Sequence, residues 1–497
     1  MTAIVPRWEW RTFGPSFGRA DEVLAQLELG DAEESDELYL LSKEDANVKI
    51  RGGLLDIKLL REVDARGLER WEPVIKEAFP VSAEGVRQML DALAVPPVPL
   101  ARSAYTLDQL LDELLRPSGV VREAKIHKAR TRFTVAGCTG ERTEVLADGR
   151  STRSVAVESE DADAVVEAVR TIGLEGYVNT SYPQGLTALL DGAPQRYAVI
   201  DMGTNSVKFH VGERGPDGSW RSVVDRAEVT RLGEGLHETG EISDAALART
   251  VDAIAVMVDE ARRLGVRAIA AVATAGMRIA RNSDDLVRII RERNGLTVEV
   301  ISGEEEGRLA YLAVRTALGE IDGSLVVFDT GGGSSQFTFG EGSNVRERFS
   351  VDVGAARYTE RFGLDHEVSR DALQPALDAI SVDLARLDER MPPEMLVGMG
   401  GAITNMTAVM LELETYDASR VQGAALDRSE VDRQIELYRS RDVEDRRKIV
   451  GLQPKRAEVI LAGACIVHTV MEKLQMSGLT VSDRGLRHGL LTDRFGT

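Results

Sequence analysis

Cysteine and histidine are scarce in this sequence of 497 residues, which contains 2 cysteines and 6 histidines. Cys138 and Cys465 lie far apart and form no CxxC pair, which excludes a disulfide scaffold and a cysteine zinc site. The histidines are scattered without an HExxH motif, which argues against zinc hydrolase chemistry. No apolar run approaches the ~18–20 residues that span a bilayer, and the first residues lack the pattern of a signal peptide. We therefore expect a cytoplasmic protein without a membrane partner.

Basic residues are outnumbered, at 61 against 81 acidic ones, which gives a net charge of −20. A surface this acidic repels nucleic acid, so no nucleic-acid partner is expected. A polyanionic substrate would need a local pocket of hydrogen-bond donors. At roughly 150 residues per unit, the length predicts about three compact units.

Turn-rich and apolar segments predict where the chain divides. A turn-rich stretch at 191–196 directly precedes the apolar run at 197–200. The preceding region alternates as strands do, whereas the following region alternates strands with long amphipathic helices. Oligomeric state cannot be read from this pattern, and a homodimer stays open. The predicted units are residues 1–194, 195–317 and 318–497.

An internal repeat is the most informative feature of the second part of the chain. YAVIDMGTNSVKFHVGE (197–213) aligns without gaps onto LVVFDTGGGSSQFTFGE (325–341). Each copy reads as a buried strand, an aspartate near its end, a turn of small residues and a returning strand. Two such copies predict two related lobes that face each other across a cleft.

The composition of these turns suits the binding of phosphate. Glycines allow consecutive backbone N–H groups to point at an anion, and Asp201 and Asp329 can hold a hydrated Mg²⁺ beside the phosphates. Neither turn carries the lysine of a P-loop. The glycines at 331–333 do not form a dinucleotide fingerprint either, because a strand and not a helix follows them.

Three further segments carry candidate functional groups. ISGEEEGR (301–308) opens a helix and offers a carboxylate that could act as general base on water. ATAGMR (273–278) offers Arg278 for bidentate contact with phosphate. VGMGGAIT (397–404) places Gly400 and Gly401 where a helix N-terminus binds anions.

In this order, the motifs make residues 197–497 resemble the exopolyphosphatase/guanosine pentaphosphate phosphatase (Ppx/GppA) family. VGAARYTERF (353–362), RAEVILAGA (456–464) and SDRGLRHGLL (482–491) complete the pattern. The resemblance implies an α/β fold with two duplicated ribonuclease H-like lobes of the actin/hexokinase superfamily.

The resemblance also implies roles for individual residues. It makes Glu306 the catalytic base, with Asp329 and Arg278 as its catalytic partners, and it places Mg²⁺ or Mn²⁺ at Asp201 and Asp329. Where the family usually carries a glutamate, this chain has Gln336, which puts metal affinity or activity in doubt. The residues implied in binding substrate phosphate are Gly203, Thr204, Asn205, Ser206, Gly331, Gly332, Gly333, Ser334, Gln336, Gly400 and Gly401.

Residues 7–190 resemble, more faintly, a CYTH (triphosphate tunnel) domain. That resemblance implies an α+β antiparallel barrel whose inward charged side chains grip a polyphosphate. Period-two spacing places Lys128, Arg130 and Arg132 on one face of a strand, as the wall of a tunnel requires. The residues implied in binding are Glu9, Arg11, Lys49, Arg51, Lys58, Lys128, Arg130, Arg132, Glu144 and Glu158.

The expected function is an exopolyphosphatase-type hydrolase that releases terminal phosphate from inorganic polyphosphate or from a polyphosphorylated nucleotide such as guanosine pentaphosphate. One alternative is a kinase or ATPase of the same fold, because such proteins use similar Asp-Gly turns. Another is a sensor that binds polyphosphate or guanosine tetra- or pentaphosphate without turnover. Gln336 and the shortened motifs of the N-terminal region motivate this last reading.

Overall fold

The computed structural model describes residues 5–215, 217–319, 321, 323–342 and 344–496. Its first part is a closed antiparallel barrel of eight strands, and β6 and β7 form a small two-stranded sheet outside the barrel. The order around the barrel is β1-β10-β9-β8-β2-β3-β4-β5. The strands and helices are β1 (Arg7–Gly14), α1 (Arg19–Gln26), β2 (Glu33–Leu41), β3 (Asn47–Arg51), β4 (Leu54–Val63), β5 (Glu69–Ala78), β6 (Val81–Ser82), α2 (Ala83–Ala92), β7 (Ala104–Tyr105), α3 (Leu107–Leu110), α4 (Arg116–Ser118), β8 (Arg122–Val135), β9 (Cys138–Ala147), β10 (Arg150–Ser159), α5 (Ala162–Ile172) and α6 (Tyr182–Asp191).

A five-stranded mixed sheet follows, in the order β13-β12-β11-β14-β15. Its central strand, β11, pairs antiparallel with β12 and parallel with β14. The elements are β11 (Gln195–Met202), β12 (Ser206–Arg214), β13 (Trp220–Val229), α7 (Leu236–Thr239), α8 (Asp244–Arg263), β14 (Ala268–Ala273), α9 (Ala275–Ile279), α10 (Ser283–Asn294), β15 (Val298–Val300) and α11 (Gly303–Leu318).

A second mixed sheet has six strands, in the order β18-β17-β16-β19-β21-β20. The longest of the helices that follow β19, α18, is apolar on nearly every side and lies in the core of this sheet. The elements are β16 (Ser324–Thr330), β17 (Ser335–Glu341), β18 (Asn344–Val351), α12 (Ala355–Phe362), α13 (Arg370–Asp383), β19 (Met395–Met399), α14 (Gly401–Met410), α15 (Ala418–Val421), β20 (Ala425–Asp427), α16 (Arg428–Arg439), α17 (Val443–Arg446), α18 (Ile460–Lys473), β21 (Gly478–Ser482) and α19 (Leu486–Phe495).

The two sheets repeat one topology, as the sequence repeat predicts. In each sheet the first strand of the repeat is paired antiparallel with the second and parallel with a later one. The register repeats as well, because Asp201 pairs with Lys208 and Asp329 pairs with Gln336. The predicted fold class, two related α/β lobes after an antiparallel barrel, is confirmed.

Helix starts and amphipathic faces explain how the long helices are placed. Ser243, Ser302 and Ser369 each accept a backbone N–H at the start of α8, α11 and α13, as N-cap serines do. The buried side chains of α8, Val251, Ile254 and Val258 among them, pack into the core of the first sheet.

The helix α19 returns to the first sheet and touches the barrel as well. The ring of Phe495 stacks on Tyr197 of β11 with 4.9 Å between the ring centroids. A side chain at Gly489 would collide with the carbonyl of Leu309, and one at Gly18 with the carbonyl of Arg494. The barrel, β11 and α19 therefore share one hydrophobic core. Within the described ranges, no helix has the length and apolar character that crossing a membrane requires.

Candidate active site

The two repeat turns face each other across a cleft of about 740 Å³. Both turns close with the same hydrogen bond, from Gly203 N–H to the carbonyl of Ser206 and from Gly331 N–H to that of Ser334, each 3.0 Å long. The strands that precede the turns deliver Asp201 and Asp329 to the cleft wall. The duplication thus produces two matched loops, each with a carboxylate and a turn that line the cleft.

The helix N-terminus at Gly400 touches the second of these carboxylates. Gly400 has a φ of +98°, and a Cβ there would lie 2.5 Å from Oδ1 of Asp329. Glycine is required on both counts, because an L side chain is strained at this φ and has no room. This close approach places the first turn of α14 next to Asp329, where its N–H groups favour an anion.

Glu306 lies in the first turn of α11, buried in the cleft wall. The guanidinium of Arg278 donates to its carboxylate and also, at 2.7 Å, to the carbonyl of Ile301. Burial raises the pKa of Glu306 to about 7, with a contribution from the negative charges of Asp201 and Asp329, while Arg278 opposes the shift. A carboxyl that titrates near neutral pH suits general base catalysis.

Lys208 and Gln336 occupy equivalent positions on the two returning strands. The Lys208 ammonium lies 2.9 Å from Oδ2 of Asp201, and the charge of Asp201 raises the pKa of this lysine. Gln336 donates instead to the hydroxyl oxygens of Ser334, at 2.8 Å, and Ser350, at 3.3 Å. One aspartate is therefore paired with a cation, whereas the other is paired in register with a neutral amide.

The cleft has donors that fit a hard divalent cation. Burial raises the pKa of Asp329, and the neighbouring carboxylate of Asp201 adds to the shift. Two buried carboxylates at one cleft create a demand for positive charge, and carboxylate oxygens are ligands that Mg²⁺ and Mn²⁺ accept. Asp201 and Asp329 are therefore able to hold such an ion beside a bound phosphate.

Most of the sequence-predicted residues line the cleft, whereas two stand behind it. Ser206 is buried and closes its turn through its carbonyl. Arg278 contacts Glu306 from the side and does not form part of the lining. The predicted residues in the lining are Asp201, Gly203, Thr204, Asn205, Glu306, Asp329, Gly331, Gly332, Gly333, Ser334, Gln336, Gly400 and Gly401.

Several basic residues of the cleft were not predicted individually. Arg456 lies against Gly401, and Arg487 is paired with Asp225 on the opposite side. The sequence motifs could have identified both arginines, because Arg456 opens the RAEVILAGA motif and Arg487 lies inside the SDRGLRHGLL motif. Together with Lys208 and Lys455, these side chains give the cleft the local positive charge that the acidic surface lacks.

A family model for the Ppx/GppA phosphatase family matches residues 213–497. The chain belongs to this family. Exopolyphosphatase 2 of Mycobacterium tuberculosis is 30% identical over 330 residues, which cover 61% of this chain and 99% of that protein. The guanosine-5'-triphosphate,3'-diphosphate pyrophosphatase of Photobacterium profundum is 29% identical over 305 residues, or 59% of this chain and 58% of that protein.

Solved structures of Ppx/GppA proteins agree with this assignment. The crystal structure of the Aquifex aeolicus family member is 31% identical, with a TM-score of 0.55, and the match covers 60% of this chain and 96% of that one. An exopolyphosphatase structure from Cytophaga hutchinsonii, at 24% identity and a TM-score of 0.55, shows the same fold.

The barrel of this Ppx/GppA protein encloses a second, charged cavity of about 390 Å³. Its closed eight-stranded form and its inward basic side chains are consistent with a CYTH-like domain. Most of the residues predicted to line the tunnel do so: Glu9, Arg11, Lys49, Arg51, Lys58, Lys128, Arg130, Arg132 and Glu158.

Glu144 is the exception among the predicted barrel residues. Its side chain is exposed on the outer face of β9, whereas Glu141, three residues earlier on the same strand, lines the cavity. Successive side chains of a strand point to opposite faces, so an odd count of three residues exchanges outside for inside. Pairing of Arg132 with Glu141 in adjacent strands sets this register.

A buried glutamate organises the cations inside the barrel. Glu37 lies 2.9 Å from the Lys128 ammonium, 3.5 Å from the Arg130 guanidinium and 3.6 Å from the Lys49 ammonium. Burial opposes its ionisation, yet Lys128 and Lys49 foremost lower the pKa of Glu37 to about 2. Sequence reasoning missed this residue, although period-two spacing places it on the same face of β2 as Tyr39.

Proposed function

We propose that the cleft hydrolyses the terminal phosphoanhydride bond of inorganic polyphosphate, with guanosine pentaphosphate as the related nucleotide substrate. The observation that carries this proposal is the position of Glu306. It is a buried carboxyl with a pKa of about 7 in the wall that also holds the two phosphate-type turns. The names of the relatives from M. tuberculosis and P. profundum support these two substrate classes.

The residues of the cleft divide the chemical task between them. The backbone N–H groups of Thr204, Asn205, Gly332 and Gly333 bind the phosphoryl oxygens, because those of Gly203 and Gly331 already close the two turns. Lys208, Arg456 and Arg487 neutralise the remaining charge. Asp201 and Asp329 hold a Mg²⁺ ion, which when bound offsets the charge of the terminal phosphates.

Glu306 accepts a proton from a water molecule as the water oxygen forms a bond to the terminal phosphorus. The phosphoanhydride P–O bond breaks on the opposite side, and its electron pair leaves with the shortened chain. Arg278 positions the Glu306 carboxylate and keeps its pKa from rising further. The products are orthophosphate and a polyphosphate one unit shorter.

The barrel holds a more distant part of the same polyanion. Its cavity is lined by eight basic side chains, among them Arg7, Arg51 and Lys58, against four acidic ones. We assign to the barrel the binding of polyphosphate, which raises the concentration of chain ends near the cleft.

Phosphate release from long-chain polyphosphate with Mg²⁺ tests this function in wild type, Glu306→Gln and Glu304→Gln. Glu304 lies on the same helical turn but is exposed, so its variant makes the same change of charge outside the cleft. We expect Glu306→Gln to lose about 10²–10⁴-fold in rate, because the loss of a general base costs this much. Equal turnover of Glu306→Gln and Glu304→Gln would contradict the assignment of the base.

The same assay separates the alternatives. Binding of polyphosphate without release by wild type would identify a sensor, and transfer of phosphate from ATP to an acceptor would identify a kinase. A matched series with guanosine pentaphosphate ranks the two proposed substrates by kcat/KM.

A further inference from the structure

Two histidines and an aspartate from three elements meet beside the cleft. His210 of β12, Asp225 of β13 and His488 of α19 bring one potential ligand atom each to within 4.8 Å of one another. Oδ2 of Asp225 lies 3.8 Å from Nδ1 of His210 and 3.3 Å from Nε2 of His488. One carboxylate oxygen therefore faces both imidazole rings.

The His210 ring is buried and incompletely satisfied. His210 is 2% exposed, and within the described ranges its Nδ1 has no hydrogen-bonding partner. A buried polar atom without a hydrogen-bonding partner destabilises the folded state. This nitrogen lies 3.8 Å from Oδ2 of Asp225, too far for a hydrogen bond, and a cation between the two atoms would give it a partner.

Both rings are neutral, which is the charge state that metal binding requires. Burial foremost lowers the pKa of His210 to about 4 and that of His488 to about 3. The facing charges are Asp225, which opposes these shifts, and Arg487 and Arg484, of which Arg487 contributes to both. A neutral imidazole has a free lone pair for a metal ion, whereas an imidazolium has none.

Asp225 can take on a metal without losing its present partner. Nε of Arg487 donates to Oδ1 at 2.7 Å, while its terminal nitrogen makes a longer contact of 3.1 Å with Oδ2, the oxygen that faces the histidines. The first hydrogen bond can remain in place and orient the carboxylate, as partners of metal-bound carboxylates do. A small cavity of about 50 Å³ adjoins both histidine rings.

We propose that His210, His488 and Asp225 bind a divalent transition-metal ion such as Zn²⁺ or Co²⁺, at a site separate from the proposed Mg²⁺ site. Two imidazoles and one carboxylate form a ligand set that such ions prefer over Mg²⁺. Coordination moves the ring proton of His488 from Nε2 to Nδ1 and gives up the 3.3 Å hydrogen bond from Gly485 N–H. The ion would join α19 to β12 and β13.

Titration of the full-length protein with Co²⁺ in excess Mg²⁺ tests the site, because Mg²⁺ occupies the oxygen ligands of the cleft. We expect one equivalent of Co²⁺ with the visible absorption of nitrogen coordination. The affinity should fall at least about tenfold in His488→Gln and in His210→Leu, since even partners of metal ligands contribute this much. His468→Gln, at an exposed pair with Asp432 on another helix, is the control and should bind as wild type does.

Thermal unfolding gives a second measurement that does not depend on activity. Zn²⁺ should raise the Tm of wild type and of His468→Gln but not that of His488→Gln. His488→Gln also keeps the test available if His210→Leu, a core substitution, does not fold. Absence of cobalt absorption in wild type, or unchanged affinity in His488→Gln, would overturn the proposal.

Discussion

The ammonium of Lys208 lies 2.9 Å from the carboxylate of Asp201, where the other repeat pairs Gln336 with Asp329. The two turns are thus alike in backbone and different in charge. The negative charge of Asp201 is offset by its own lysine, whereas Gln336 brings no charge to Asp329.

Gln336→Glu should tighten the binding of Mg²⁺. The new carboxylate would stand beside Asp329 in register, and an added attraction of about 1.4 kcal/mol would lower the half-saturating Mg²⁺ concentration roughly tenfold. The measurement is phosphate release against Mg²⁺ concentration. Gln336→Met, of similar size and without charge, is the control, and an unchanged Mg²⁺ dependence in Gln336→Glu would place the ion elsewhere.

Activity should rise with pH up to about 7 and then level off. Glu306 must be deprotonated to accept a proton, and its pKa is raised to about 7, so kcat/KM should follow one ionisation on the acid side. Arg278→Gln removes the cation that lowers this pKa, which should move the acid limb to higher pH. Arg281→Gln, at a largely exposed arginine, is the control; the same displacement in both variants would contradict the assignment.

Loss of cations inside the barrel should weaken the binding of long polyphosphate. The double variant Arg51→Ala/Lys58→Ala removes two lining charges, and we expect about tenfold weaker affinity and a shallower dependence on salt. Lys125→Ala/Arg142→Ala removes two charges from the outer faces of β8 and β9, where neither residue lines the cavity. Equal weakening in the two double variants would mean that net charge, and not the tunnel, binds the polymer.

Glu37→Gln should destabilise the barrel by about 3–5 kcal/mol, because it leaves buried cations without their counter-ion. The folded-state pKa of about 2 lies below the ordinary value of 4.5. The stabilisation is therefore present above about pH 4.5 and is lost as the pH falls toward 2. Urea unfolding at several pH values measures this, with the exposed Glu34→Gln on the same strand as control. A loss of stability that is equal in the two variants would count against a role of Glu37 as the central counter-ion.

Gly400→Ala should reduce turnover about 10²-fold, since its methyl group would displace Asp329 and the carbonyl of Thr330. Gly265→Ala places an alanine at a positive φ of +66° with open space around it, and so is a control without the collision. Phosphate release and Tm are measured for both. Loss of activity in Gly265→Ala to the same extent would contradict a role of the collision at Gly400.

Local patterns in the sequence predict much of this molecule. The gapless repeat is sufficient to place Asp201 and Asp329 at equivalent turns, because strand, turn and strand are all formed within one short segment. Contacts between segments that are far apart in the sequence leave no such local pattern. Arg487 and Asp225 are 262 positions apart, and nothing in either segment indicates their pairing. The prediction that Glu144 lines the cavity is wrong for a different reason. A shift of one residue along a strand moves a side chain to the opposite face of the sheet.

The place of α19 in the shared core has a consequence for the order in which the chain folds. Leu486–Phe495 packs on β11 and α11, which precede it by a long stretch of sequence. During synthesis, the apolar surface formed by Tyr197 and Leu309 therefore stays uncovered until α19 has been made. The second sheet has an α18-filled core of its own. The core of the first lobe is thus completed by a segment that follows all the strands of the second sheet in the sequence.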